Sequence, residues 1–305
     1  MSARRRRGLG RAARACGAAG AVWLGQALVR AEPPQPVPRA TPKVEAPAER
    51  AAQVPRGCPP EMVRVHHYCV DRWEMVTVDA TTGEALSPYY PPHPRLLRDV
   101  RQLWELERWV AVSEATRHMP LPALPVWQSQ ALSYAPRAVS RPDRVPQGYL
   151  SFHLAALACK NAGKRLCTEK EWVTACKGRA QTRFPYGDVF DRQRCNVYRY
   201  LHPGYLLHGN SSVGHRDPRL NLVFENGDPL LRPTGATRGC VSRWGDDVIY
   251  DMVGNLDEWV DDERGVFVGG FYARSTTSGC EARVGSHAPA YYDYSTGARC
   301  CKDAR

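Results

Sequence analysis

Apolar and polar residues alternate from Cys58 onward, where the run CPPEMVRVHHYCVDRWEMVTV sets Met62, Val63, Val65, Tyr68 and Val70 against polar neighbours. That period predicts one or two strands, pinned by a Cys58–Cys69 bridge. Between residues 94 and 116, Leu96, Val100, Leu103, Leu106 and Val110 recur at steps of three and four. This spacing predicts an amphipathic helix whose apolar stripe faces the core. Residues 119–148 carry six prolines and read as a long connection. Ser151 can cap a helix that runs through His153, Ala156 and Cys159 and stops at Gly163. Thr168-Glu169-Lys170-Glu171 forms a capping box that opens another helix. Past Arg179 the chain breaks into short runs separated by Gly, Asn, Asp and Pro, which predicts long surface loops.

Composition agrees with many turns and few long helices: 25 Gly and 25 Pro stand against 6 Phe, with 43% hydrophobic residues to supply a core. The expected class is a loop-rich α+β protein. The net charge of +11 raises nucleic acid as a partner, but its distribution argues against one. Residues 1–31 hold seven arginines and no acid. With those set aside from the 42 basic residues, the surplus over the 31 acidic ones falls to about four. The same stretch has the order of a secretory signal, with basic Arg4–Arg7, an apolar segment from Ala15 to Val29 and a small-residue site at Ala31. It is short for a bilayer span, so no stable membrane span is expected. The expected organisation is a signal over 1–31, a Pro/Ala-rich disordered linker over 32–57 and a folded domain over 58–305, exported to a periplasmic or extracellular space.

Eleven cysteines become ten once Cys16 leaves with the signal, and an even number in an exported chain reads as a disulfide framework. A zinc module is the rival, but close C-x2-C pairs are missing. The nine histidines are scattered, and no Ser/His/Asp order or phosphate-cradling loop has the context it needs.

The segment from Cys159 through AGKRL to Cys167, Thr168, Trp172 and Cys176 resembles AGKRLPTEAEWEYA of the formylglycine-generating (sulfatase-modifying factor) family, with Cys167 in place of the usual proline. Further motifs follow in order. Pro185-Tyr186-Gly187 is similar to PWG, and Cys195-Asn196 carries the next asparagine. YDMVGNLDEW over 250–259 is similar to YDMxGNVWEW, Gly269-Gly270 to RGGS and Gly297-Ala298-Arg299 to GFR. Tyr68–Asp71 and Trp73-Glu74 match the early strand more faintly. The resemblance implies a variant of the C-type lectin fold, with small twisted sheets, few helices and long ordered loops.

It also implies disulfides from Cys159 to Cys300 and from Cys176 to Cys280. Cys167, Cys195, Cys240 and Cys301 remain, for which Cys195–Cys240 with Cys167–Cys301 is the suggested pairing; the sequence leaves it open beside a vicinal Cys300–Cys301 switch. Family calcium ligands fall by position on Asp251, Gly254, Leu256 and Glu258, a plausible set of oxygens for a hard cation. A second calcium site would use Asn196 and the Val197 carbonyl with an acceptor among Asn226, Gly227 and Asp228. The same acids could instead shape the turns by hydrogen bonds.

The two copper-binding cysteines of the family follow its GGS motif by three and eight residues. Counted from Phe271 in the serine position, they fall on Arg274 and Gly279. Copper is therefore not expected, and no catalytic residue is assigned. Three functions follow from the resemblance. One is a member without copper that binds a peptide, protein or small-molecule ligand in a groove around Trp259, Arg274, Arg283 and His287, with His153 a lesser candidate. Another is a metal-dependent oxidative modifying enzyme acting on a peptide-derived or protein substrate. The third is a genuine formylglycine generator.

Overall fold

The computed structural model describes residues 57–108 and 112–304. The expected signal and linker, and Val110 of the predicted helical stripe, lie outside the described residues. Three strands open the domain, β1 (Met62–Val65), β2 (Tyr68–Asp71) and β3 (Met75–Asp79), one more than the alternation predicted. Helix α1 (Pro94–Glu107) follows, capped by the His93 ring on the Leu96 N–H, and then α2 (Glu114–His118). The predicted single helix over 94–116 is thus two. Ser113 and Thr116 form a reciprocal capping box that starts α2 afresh. The buried stripe of α1 is Pro94, Leu97 and Val100, while Leu106 is 70% exposed.

The proline-rich stretch holds α3 (Val126–Gln130) and β4 (Pro136–Ser140), so it is more than a connection. Pro136 sits at the first position of its strand, where the missing N–H is tolerated. Pro136, Ala138 and Ser140 then face inward in strict alternation as β4 pairs antiparallel with β3. Helix α4 (Phe152–Asn161) starts at the Ser151 cap, and after β5 (Arg165–Leu166) the Thr168–Glu171 capping box opens α5 (Glu169–Lys177). The loop-rich half contains α6 (Pro203–His208) and the hairpins β6 (Phe224–Glu225) with β7 (Asp228–Pro229) and β8 (Val241–Trp244) with β9 (Asp247–Tyr250). It ends with β10 (Asp257–Trp259), β11 (Phe267–Val268), β12 (Arg283–Val284), β13 (Thr296–Ala298) and β14 (Cys300–Asp303).

Two four-stranded sheets organise these pieces, in the orders β1-β2-β14-β5 and β12-β11-β10-β13. In the first, β14 lies antiparallel between β2 and β5 and brings Cys300 opposite Leu166 and Cys301 opposite Arg165. Successive strand residues point to opposite faces, so the vicinal cysteines enter different cores. Cys300 bonds to Cys159 in the cluster around Leu150, Phe152 and Trp259. Cys301 bonds to Cys167 in the cluster around Trp172 and Val70. The other bridges are Cys58–Cys69, Cys176–Cys280 and Cys195–Cys240. Cys159–Cys300 ties α4 to β14, Cys176–Cys280 ties α5 to the turn before β12, and Cys195–Cys240 joins two of the long loops. Among the described residues no helix is long and apolar enough to cross a membrane.

Candidate functional site

The loop between β9 and β10 is shaped by left-handed residues, Asp251 (φ 55°), Gly254 (φ 81°) and Asn255 (φ 60°). A Cβ at Gly254 would sit 2.3 Å from the Asn196 carbonyl oxygen, so only glycine lets the two segments touch. The loop delivers Asp257 and Glu258 to adjacent positions on β10, where they face opposite ways and serve different neighbours.

Glu258 points into a fully buried ionic cluster. Arg299 donates to both of its oxygens, at 2.7 Å from Nε and 2.6 Å from Nη2, and the Trp172 indole N–H adds a third bond at 2.7 Å. Arg299 also donates to the carbonyls of Asp71 and Tyr250. Two more carboxylates share the space. Asp251 accepts the Gly235 N–H, and Glu74 accepts Asn255 Nδ2, with Glu74 Oε1 left buried and without a partner. Burial raises the Glu74 carboxyl well above the usual range, and the charges of Asp251 and Glu258 push it the same way. Asp251 is raised to about 7, chiefly by burial.

These contacts test the expected calcium ligands. Glu258 does not fit that role as arranged, because a guanidinium already occupies the cation's place on both of its oxygens. At the second expected site, Asn226 (φ 53°) and Gly227 (φ 83°) form the tight turn of the β6–β7 hairpin. The Asp228 carboxylate holds Arg199 at 2.8 Å and Arg232 at 2.5 Å. Asn196 donates to the Leu230 carbonyl and to Asn255 Oδ1, which leaves its own buried Oδ1 unpaired. That single oxygen is the feature of this set a cation would satisfy. Among the described residues no group of three or more His, Cys, Asp or Glu is arranged to hold a metal ion.

Asp257 faces the other side and meets Arg274, whose Nη1 donates to Oδ1 at 2.8 Å. The carboxylate is fully buried, and its Oδ2 has no hydrogen-bond partner. Burial raises the Asp257 carboxyl to about 7, the Arg274 charge opposes the shift, and Asp293 reinforces it. The Arg274 guanidinium packs over the Phe271 ring at 5.1 Å and stays 35% exposed. Two departures from the family pattern therefore meet: Asp257 stands where YDMxGNVWEW has its first tryptophan, and Arg274 stands where the resemblance places the first copper-binding cysteine.

The backbone is closed where the resemblance places the second copper-binding cysteine. Gly279 has φ +65°, and a Cβ there would lie 2.3 Å from the Arg183 carbonyl oxygen and 2.8 Å from the Phe184 ring. The adjacent Cys280 is bonded to Cys176, so its sulfur is not a free thiol.

The remaining groove candidates do not assemble around Arg274. Trp259 is a core residue, completely buried, with its indole N–H on the Leu150 carbonyl at 2.7 Å; it cannot line an open groove. Arg283 is paired with Glu169 at 2.9 Å. His287 is half-buried, stacked on Phe267 and leaning on Tyr291, while His153 is exposed on α4. Asp257 and Glu74 were not among the expected site residues. The signal for Asp257 lay in the family motif itself, as an acid in a tryptophan position.

Small sheets joined by long ordered loops, with disulfides anchoring two short helices to the C-terminal strands, define a domain of the formylglycine-generating-enzyme type. The sulfatase-modifying factor enzyme 1-like domain matches residues 106–304, and the chain belongs to that family. No curated protein sequence matches it. Among solved structures it is similar to that of CarF, at 12% identity over 78% of this chain and 87% of the other, with a TM-score of 0.36. It is also similar to PvdO from Pseudomonas aeruginosa, at 15% identity over 77% of this chain and 94% of the other, with a TM-score of 0.34.

Proposed function

We propose that this is an exported domain of the family that binds a peptide, protein or small-molecule ligand beside Arg274 and does not generate formylglycine. The observation that carries this reading is the Arg274–Asp257 pair at the first copper-binding position. Cu(I) is held by soft thiolate sulfur, and a guanidinium is a permanent cation with no lone pair to offer. The closed backbone at Gly279 and the bridged Cys280 support the same conclusion. Arg274 suits binding: one nitrogen is fixed on a buried carboxylate, the face rests on Phe271, and the exposed remainder can donate to a ligand oxygen. Five disulfides support export, since oxidising compartments make and keep such bonds.

A second reading, a modifying enzyme of other chemistry, draws on Asp257, because a carboxyl titrating near neutrality suits proton transfer. The test of the first reading is incubation of the purified chain with a sulfatase-type cysteine peptide, copper and a reductant, followed by aldehyde capture. No aldehyde is expected. Turnover that disappears in Cys280→Ser, with Cys280 a free thiol in the active protein, would overturn it.

A further inference from the structure

A cavity of about 460 Å³ opens where the end of α5 meets β8. Its lining includes Lys177, Arg179, Arg194, Arg238 and Arg243, and no Asp or Glu. Two of these cations are offset from outside the cavity, Lys177 by Glu281 at 2.6 Å and Arg194 by Asp191 at 3.5 Å. Arg179, Arg238 and Arg243 form no ion pair among the described residues. Three uncompensated charges in one cavity compare with a surplus of only about four beyond residue 31.

The backbone that carries them is held together tightly. Cys176–Cys280 anchors the residue before Lys177, and Cys195–Cys240 joins the neighbours of Arg194 and Gly239. The Arg179 N–H donates to the Arg243 carbonyl at 2.9 Å, and a Cβ on Gly178 would lie 3.2 Å from the Arg243 backbone. The carbonyls at the end of α5 do not offset the arginines, because other donors take them: the Gly178 N–H and the Trp244 indole on Ala175, and Thr182 on Lys177. The frame holds the backbone of these cations around one cavity, and like charges gathered there repel one another, a repulsion that a bound anion relieves.

We propose that this cavity binds a small ligand through a phosphate or sulfate group. The three arginines come from two chain segments, Arg179 just after α5 and Arg238 and Arg243 from β8 and the turn that enters it. A tetrahedral oxyanion concentrates its charge and several terminal oxygens on one centre, so it can accept from all of them at once. Neither Arg274 nor Asp257 lines this cavity, whose wall includes Tyr186, stacked on Phe184 at 5.4 Å. The proposal is independent of the function assigned to Arg274.

Calorimetric titration of the full chain at low chloride with inorganic pyrophosphate, inorganic sulfate and citrate tests it. Saturable binding of pyrophosphate or sulfate, one per chain, is expected, weakened at least tenfold in Arg179→Gln/Arg243→Gln. Arg238→Gln alone should weaken it too, and all three side chains are exposed, so folding should survive. Arg264→Gln, on an exposed arginine paired with Asp262, should bind like the parent. Inorganic phosphate titrated against sulfate, anions of like size and geometry, names the ester class, since pyrophosphate carries the higher charge whichever ester the site takes. Citrate binding as tightly as both would overturn the tetrahedral assignment. Absence of saturable binding, or equal weakening in Arg264→Gln, would overturn the site.

Discussion

Replacing Asp257 with asparagine should stabilise the domain above pH 7 and leave it unchanged near pH 4. Burial lifts this carboxyl from its ordinary 3.8 to about 7, with Arg274 opposing and Asp293 reinforcing the shift. A carboxyl whose folded value lies above its unfolded value holds a proton in the fold that the open chain has already released. Its favourable contribution is complete below about pH 4 and is lost as pH rises to about 7. A shift of about three units at 1.36 kcal/mol each amounts to roughly 4 kcal/mol at pH 8, an upper figure because local water entry would relax it. Asparagine keeps the shape and removes the titration. Arg274 loses its partner, but its 35% exposure lets water replace the carboxylate. Urea denaturation of parent and variant at intervals from pH 4 to pH 8 measures the difference directly. Asp71 and Asp251 are also raised by burial, to about 6 and about 7, so both proteins will show pH dependence, and the difference between them isolates Asp257. A difference that stays flat with pH would refute the assigned titration. A variant less stable than the parent at pH 8 would show that the Arg274 pair outweighs the cost of burying the charge.

Excess EGTA should leave the melting temperature unchanged, because arginines already occupy Glu258 and Asp228. A fall on chelation, abolished by Asn196→Ala or Asp251→Ala, would place calcium on those oxygens instead. Arg299→Met should cost about 3 to 5 kcal/mol in chemical denaturation, since it strands Glu258 beside Glu74 and Asp251 with no buried cation. A loss below about 1 kcal/mol would show that the buried carboxylates find other compensation once Arg299 is gone.

Much of the fold could be read from the sequence because the signals were local. The Thr168–Glu171 capping box and the Ser151 cap are hydrogen bonds within a single turn, so their residues announce them at fixed spacing. Ordered motifs led to the family, and the even count of cysteines after the expected signal led to a disulfide framework.

What escaped the sequence was decided by partners far along the chain. Strand β4 exists because β3, some sixty residues earlier, offers it a ladder; it lies in a stretch whose six prolines read as a connection. Trp259 looked like a groove residue and is core, since strand register decides which face a side chain takes. The same alternation sends Glu258 to Arg299 and Asp257 to Arg274, and sends Cys300 and Cys301 into separate cores. Glu74 enters the Arg299 cluster through Asn255, 181 residues away. Arg179 of the basic cavity lies about sixty residues before Arg238 and Arg243, and only the packing of α5 against β8 brings it to them. Local hydrogen bonding and periodicity are written in neighbouring residues, whereas charge pairing and burial depend on which segments the tertiary structure brings into contact.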